Sequence, residues 1–158
     1  MNHPACTDLL AAMAEERAAV RSFVDLLQQE QNLLTENSID PLMMLAEQKS
    51  TRAAQLGELA EVRHRLMLAC LPELTATAIL AWLKVNSAEG LVLWQEISAL
   101  AEQARQLNHI NGELIQMKLR HNQQLLTALS RAVNQANLYG PDGQTNFSAG
   151  GGRSLGSG

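Results

Sequence analysis

Apolar residues return at helical spacing along most of this chain. From Thr7 to about Glu36 the row Met13, Val20, Leu27, Leu34 repeats every seven residues beside Ala12, Ala19, Leu26 and Leu33. That is the signature of one face of a long helix packed lengthwise on a partner. Thr7 or Asp8 is placed to cap its N-terminus. Asn37-Ser38-Ile39-Asp40-Pro41 then supplies the stop, the turn and the next start, with Asp40 as the cap and Pro41 at the first helical position.

The second helix alternates steps of three and four over Leu42, Leu45, Lys49, Arg52, Leu56, Leu59, Arg63 and Leu66. Lys49, Arg52 and Arg63 sit in that seam as cations. Long basic side chains can lay their methylene stems along an apolar stripe while the charge reaches water or a carboxylate, here Glu15, Glu16 or Glu30 of the first helix. We read them first as structural, setting the register of the pair. Leu71-Pro72-Glu73 ends this helix, since proline lacks a backbone donor and pushes the preceding residue out of helical geometry.

Thr75 or Thr77 can cap a short apolar helix through Ile79, Leu80, Trp82 and Leu83, ending near Asn86, and Ser87-Ala88-Glu89-Gly90 reads as a second break. A last helix is then expected from about Leu91 to Asn137, with Leu93, Ile97, Leu100, Ala104, Leu107, Leu114, Leu125 and Ala132 on one face. At about 1.5 Å per residue it would extend roughly 70 Å, which points to a rod. Midway the seam turns polar, with Asn108, Asn111, Gly112, Lys118, His121 and Asn122 close together; a buried Asn in such a seam trades stability for register. After Tyr139 the composition shifts, and residues 140–158 hold seven of the ten glycines. The expected organisation is a helical domain over residues 7–139 and a flexible Gly-rich tail over 140–158.

Composition agrees with an all-α fold. Leu (27) and Ala (22) dominate the 158 residues and only five are aromatic, a balance that favours helix over sheet. The fold class expected is an elongated antiparallel bundle or hairpin of long helices, with one short connecting helix and a disordered C-terminal tail. A net charge of −4 gives no pull toward nucleic acid or anionic membrane. The longest uncharged apolar stretch, Leu74 to Leu83, is too short to span a bilayer, and no basic segment followed by an apolar one opens the chain, so a soluble cytoplasmic protein is expected. Cys6 and Cys70 show no metal spacing and read as reduced, partly buried thiols.

Catalytic chemistry finds little to stand on. Glu61-x-x-His64 has the spacing of a carboxylate-bridged di-iron ligand pair, but such a site needs a second copy and the chain has none. The four His make no zinc spacing, Ser, Asp and His show no nucleophile-elbow context, and the glycines of 149–158 follow no strand and precede no Gly-Lys-Ser/Thr. No catalytic residue, metal or cofactor is assigned. Trp82 and Trp94 read as core or helix-corner residues. The reading from physics alone is an adaptor, a chaperone or a structural coiled coil.

Particular residues narrow this. Leu26-Leu27-x-x-Glu30-x-x-Leu33-Leu34 precedes a turn, Lys49 and Arg63 stand in a leucine-rich frame from Leu42 to Leu66, Asn108-x-x-Asn111-Gly112-Glu113-Leu114-Ile115 lies in the last helix, and Leu138-Tyr139-Gly140-Pro141-Asp142-Gly143-Gln144 closes the sequence before the tail. In this order they resemble the FlgN family of flagellar export chaperones, over most of residues 7–146. The resemblance implies a small cytoplasmic chaperone, not an enzyme, that binds the C-terminal segments of the hook-filament junction proteins FlgK and FlgL and prevents their premature association. It further implies delivery to the flagellar type III export gate, with the export ATPase as a further contact, and ties Tyr139 to docking on that gate. It leaves open whether the chaperone pairs with a second copy.

A client segment that is amphipathic and unfolded before assembly can lay its apolar face on a helix. Leu114, Ile115, Leu125, Leu126, Leu129 and Val133 of the last helix are the client-binding candidates, with intramolecular core packing as the alternative for each. The alternative function, of another class, is a coiled-coil protein that self-associates through its heptad stripes and has no exported client.

Overall fold

The structure is a computed structural model that describes the backbone of residues 4–138 and the side chains of residues 6–134. Tyr139 and the proposed tail lie outside the described residues. Four helices follow in order, α1 (Pro4–Thr35), α2 (Asp40–Cys70), α3 (Ala76–Asn86) and α4 (Ala88–Leu138), and the described residues hold no strand. The chain divides into two compact units, one running to Leu114 and the other from Ile115. None of the helices, among the described residues, is long and apolar enough to cross a membrane.

In the first unit the heptad row of α1 is the spine of the core. Met13, Val20, Leu27 and Leu34 are all buried, at 0 to 6% of their full exposure. At one end Leu9 and Met13 meet Met67 and Leu71 from the end of α2, Ile79 and Leu83 of α3, and Leu93 and Ile97 of α4 in one cluster, with Trp82 and Trp94 partly buried against it. Both tryptophans therefore serve packing. Helix α2 runs antiparallel to α1, since Arg63 reaches Glu16 and Lys49 reaches Glu30, while α4 runs parallel to α1, since Glu96 meets Arg17 and Asn111 meets Leu27 and Glu30. The long helices are up, down and up, and α3 is the short connector.

The helix ends correct several expectations. Thr7 and Asp8 cap nothing, because α1 begins earlier, at Pro4, and carries both inside its first turns. The start of α2 is not capped by Asp40: Ile39 stands at the cap position in right-handed helical geometry without a side-chain bond, and Asp40 lies in the first turn, where its charge favours the positive end of the helix dipole. The α1–α2 turn is closed by the backbone instead. Ser38 N–H bonds the Leu33 carbonyl at 3.0 Å and Asn37 N–H the Leu34 carbonyl at 3.4 Å, with Asn37 at φ 59°. This is the Schellman pattern, and asparagine is among the few non-glycine residues that accept that left-handed position readily.

Thr75 does cap α3, accepting from Ala78 N–H at 3.1 Å. Ser87 separates α3 from α4 and accepts from Gly90 N–H at 2.9 Å, so α4 starts at Ala88, three residues before the expected Leu91. Gly90 is accordingly no breaker. It is buried in the first turn of α4, where an added Cβ would stand 2.9 Å from Leu83 Cδ2 and 3.2 Å from Leu10 Cδ2. Its missing side chain is what lets α4 approach α1 and α3.

Candidate functional site

The basic seam of α2 is met by α1. Arg63 Nε donates to Glu16 Oε2 at 2.7 Å, and its guanidinium lies 5.1 Å from the centre of the Trp94 ring. Lys49 Nζ donates to Glu30 at 3.2 Å, and Arg52 hydrogen-bonds the Ser22 hydroxyl rather than a carboxylate. Glu16 and Glu30 are buried, at 4% and 6% exposure, whereas Glu15 faces solvent. A carboxylate taken this far from water needs its partner, so these pairs fix how α2 lies on α1.

The polar stretch of α4 contributes one buried residue, Asn111. Its Nδ2 donates to the Leu27 carbonyl and to Glu30 Oε1, both at 2.9 Å, and its side chain is wholly enclosed. Glu30 thus gathers Lys49 from α2 and Asn111 from α4 into one three-helix polar node. The Asn111 Oδ1 has no hydrogen-bond partner. The expected wider polar seam does not form: Asn108, Gly112, His121 and Asn122 are exposed, and Lys118 is half-buried.

Between α1, α2 and α4 lies a cleft of about 370 Å³, lined by Val20, Phe23, Leu56, Ala60, Ile97, Ala101 and Ala104 together with Glu16, Arg63 and Trp94. The three alanines widen the cleft, since larger side chains there would take up part of its volume. Sequence reading passed over this cleft. Its only signal was small residues beside the stripes, Ala60 next to Leu59 and Ala101 next to Leu100, with Ala104 in the α4 stripe itself.

The residues singled out for client binding fall on both sides of the division between the units. Leu114 closes the first unit and is half-buried. Ile115 begins the second and is 37% exposed; Leu125, Leu126, Leu129 and Val133 are 49 to 64% exposed. Among the described residues, Leu125, Leu126, Leu129 and Val133 thus take no part in the buried core. Ile110, Met117 and Leu119 of α4 are exposed as well, at 44 to 59%. Tyr139, the residue tied to gate docking, lies outside the described residues.

No metal-holding geometry forms among the described residues. Glu61 and His64 are both exposed on α2, and no three His, Cys, Asp or Glu side chains gather in a way that could hold a metal ion. The perturbed groups have structural causes. Hydrogen bonding to Arg105 one turn on holds the exposed Glu102 carboxyl below its ordinary pKa and raises that of Arg105.

Comparison with known proteins gives a consistent answer. The family profile described as "FlgN protein" matches residues 1–146. The flagella synthesis protein FlgN of Escherichia coli strain K12 is 30% identical over 151 residues, which cover 94% of this chain and 98% of that protein. The flagella synthesis protein FlgN of Yersinia enterocolitica is 31% identical over 147 residues, covering 91% and 93%. That of Salmonella typhimurium is 39% identical over a shorter stretch of 62 residues, covering 39% and 44%. No solved structure gives a significant match. With the profile and the full-length relatives in agreement over nearly the whole helical sequence, this chain belongs to the FlgN family.

Proposed function

We propose that this FlgN-family protein is a cytoplasmic export chaperone that binds the C-terminal helical segments of the junction proteins FlgK and FlgL, keeps them from associating early and hands them to the flagellar type III export gate. It acts by binding, not by catalysis. The observation that supports this reading best is the exposed apolar stripe of α4. Leu125, Leu126, Leu129 and Val133 recur at steps of one, three and four residues, the spacing that an amphipathic client helix reads. The family membership points the same way, since the relatives are named for flagella synthesis.

Calorimetric titration with a peptide covering the C-terminal helix of a junction protein from the same organism tests it. We expect saturable one-to-one binding, weakened at least about ten-fold by Leu125→Ala with Leu129→Ala, and lost on truncation after Lys118. Retention of full affinity by the double variant would remove the stripe as the site. Tyr139→Ala should spare client binding while lowering export of the client; equal loss of both would assign Tyr139 to the fold. The same exposed stripe also suits pairing of two copies. A mass above the monomer in sedimentation, lost in the double variant, together with no uptake of the peptide would favour the self-associating reading.

A further inference from the structure

The register of α1 on α2 brings the two cysteines of the chain to the same end of the helix pair. Lys49 faces Glu30, Arg52 faces Ser22 and Arg63 faces Glu16, each pair further from the turn than the one before. Cys6 lies ten residues beyond Glu16 on α1, and Cys70 lies seven residues beyond Arg63 as the last residue of α2. Between these points Leu9 and Met13 of α1 pack with Met67 of α2 in one buried cluster, and Cys70 packs against it. Both thiols are free and half-buried, and the chain has no other cysteine. Burial, and then the neighbouring Cys6 thiol and the hydrogen bond to it, hold the Cys70 thiol above its ordinary pKa.

We propose that Cys6 and Cys70 are a dithiol modification site that closes to an intramolecular disulfide when the protein meets a low-molecular-weight disulfide such as oxidised glutathione, clamping the start of α1 to the end of α2. Cys6 reacts first, because Cys70 is kept protonated where it is buried. The Cys6 thiolate attacks one sulfur of glutathione disulfide, that S–S bond breaks, and one glutathione leaves as the thiolate. Cys70 then loses its proton to solvent and attacks the Cys6 sulfur of the mixed disulfide, expelling the second glutathione. Two protein thiols are oxidised and one small disulfide is reduced to two thiols. The reverse exchange reopens the clamp in a reducing pool.

The test is incubation of the full chain with oxidised glutathione, followed by intact mass and peptide mapping. The wild type should become lighter by two hydrogens and yield a Cys6–Cys70 cross-linked peptide pair. Cys70→Ser should stop at a single glutathione adduct on Cys6. Because the bond closes a long loop, the melting midpoint of the oxidised wild type should rise by on the order of 10 °C. Stable glutathione adducts on both cysteines of the wild type, or disulfide-linked dimers in place of the lighter monomer, would overturn the proposal.

Discussion

Helix α4 carries one hydrophobic rhythm and two fates. Before Leu114, Leu93 and Ile97 are 4% and 5% exposed, and Leu100, Ala104 and Leu107 are half-buried. From Ile115 onward the stripe continues through Leu125, Leu129 and Val133, and all of these are exposed. The residue types are alike on the two sides of the division, and their burial is not. Asn111 bonds Glu30, and α1 has only five residues of helix after Glu30. Under the proposed function, this exposed continuation is the surface that a client helix would cover.

Unfolding by urea should separate the two halves most sharply. Leu93→Ala removes a buried side chain and should cost about 2–4 kcal/mol, whereas Leu129→Ala should stay within about 0.5 kcal/mol of wild type. Similar losses at both positions would mean that the second half of α4 is packed in solution. Next in size is the polar node at the end of the first half. Asn111→Ala should cost about 2 kcal/mol, by leaving a cavity and stripping Glu30 of a donor, and Asn111→Leu should cost less, because it fills the space and removes the orphaned Oδ1.

Gly112, one residue on, has open space where its Cβ would be. Gly112→Ala should therefore raise stability by about 0.5–1 kcal/mol through helix propensity alone; a loss would show that the space is filled in solution. The smallest effect concerns Glu102. Its lowered pKa means that the Glu102–Arg105 pair contributes above the carboxyl's unfolded pKa and is lost as pH falls through the lower folded value. Since Glu102 is fully exposed, Glu102→Gln should leave the melting midpoint at neutral pH nearly unchanged and flatten only the acid limb of its pH profile.

How much of this was legible depends on how local the physics is. The heptad row of α1 and the stripe of α2 demanded lengthwise packing, and two of the three cations in that stripe, Lys49 and Arg63, find the acids Glu30 and Glu16 that the first helix offered. Asn111 was legible as a polar seam residue, although which neighbours would share its burial was not, because that turns on where α1 stops. Caps were less legible: Thr7, Asp8 and Asp40 all have capping chemistry, but a helix can start without using it. Gly90 reads the same in sequence whether it breaks a helix or admits a neighbour. The cysteine pairing and the cleft needed the α1–α2 and α1–α4 registers, which no single segment encodes.

Glu16 and Glu30 are fourteen residues apart on α1, and so are Arg63 and Lys49 on α2. A leucine stripe by itself would allow the two helices to close one heptad out of step at little cost, because apolar meets apolar again. The two ion pairs forbid it. A slip of seven residues would leave both carboxylates facing the wrong neighbours, and a slip of fourteen would save only one of them, at a cost of several kcal/mol for each stranded charge. The hairpin therefore has a single deep minimum along its sliding coordinate, and a chain that collapses out of step is driven to reopen and search again before α3 and α4 can seal the mistake.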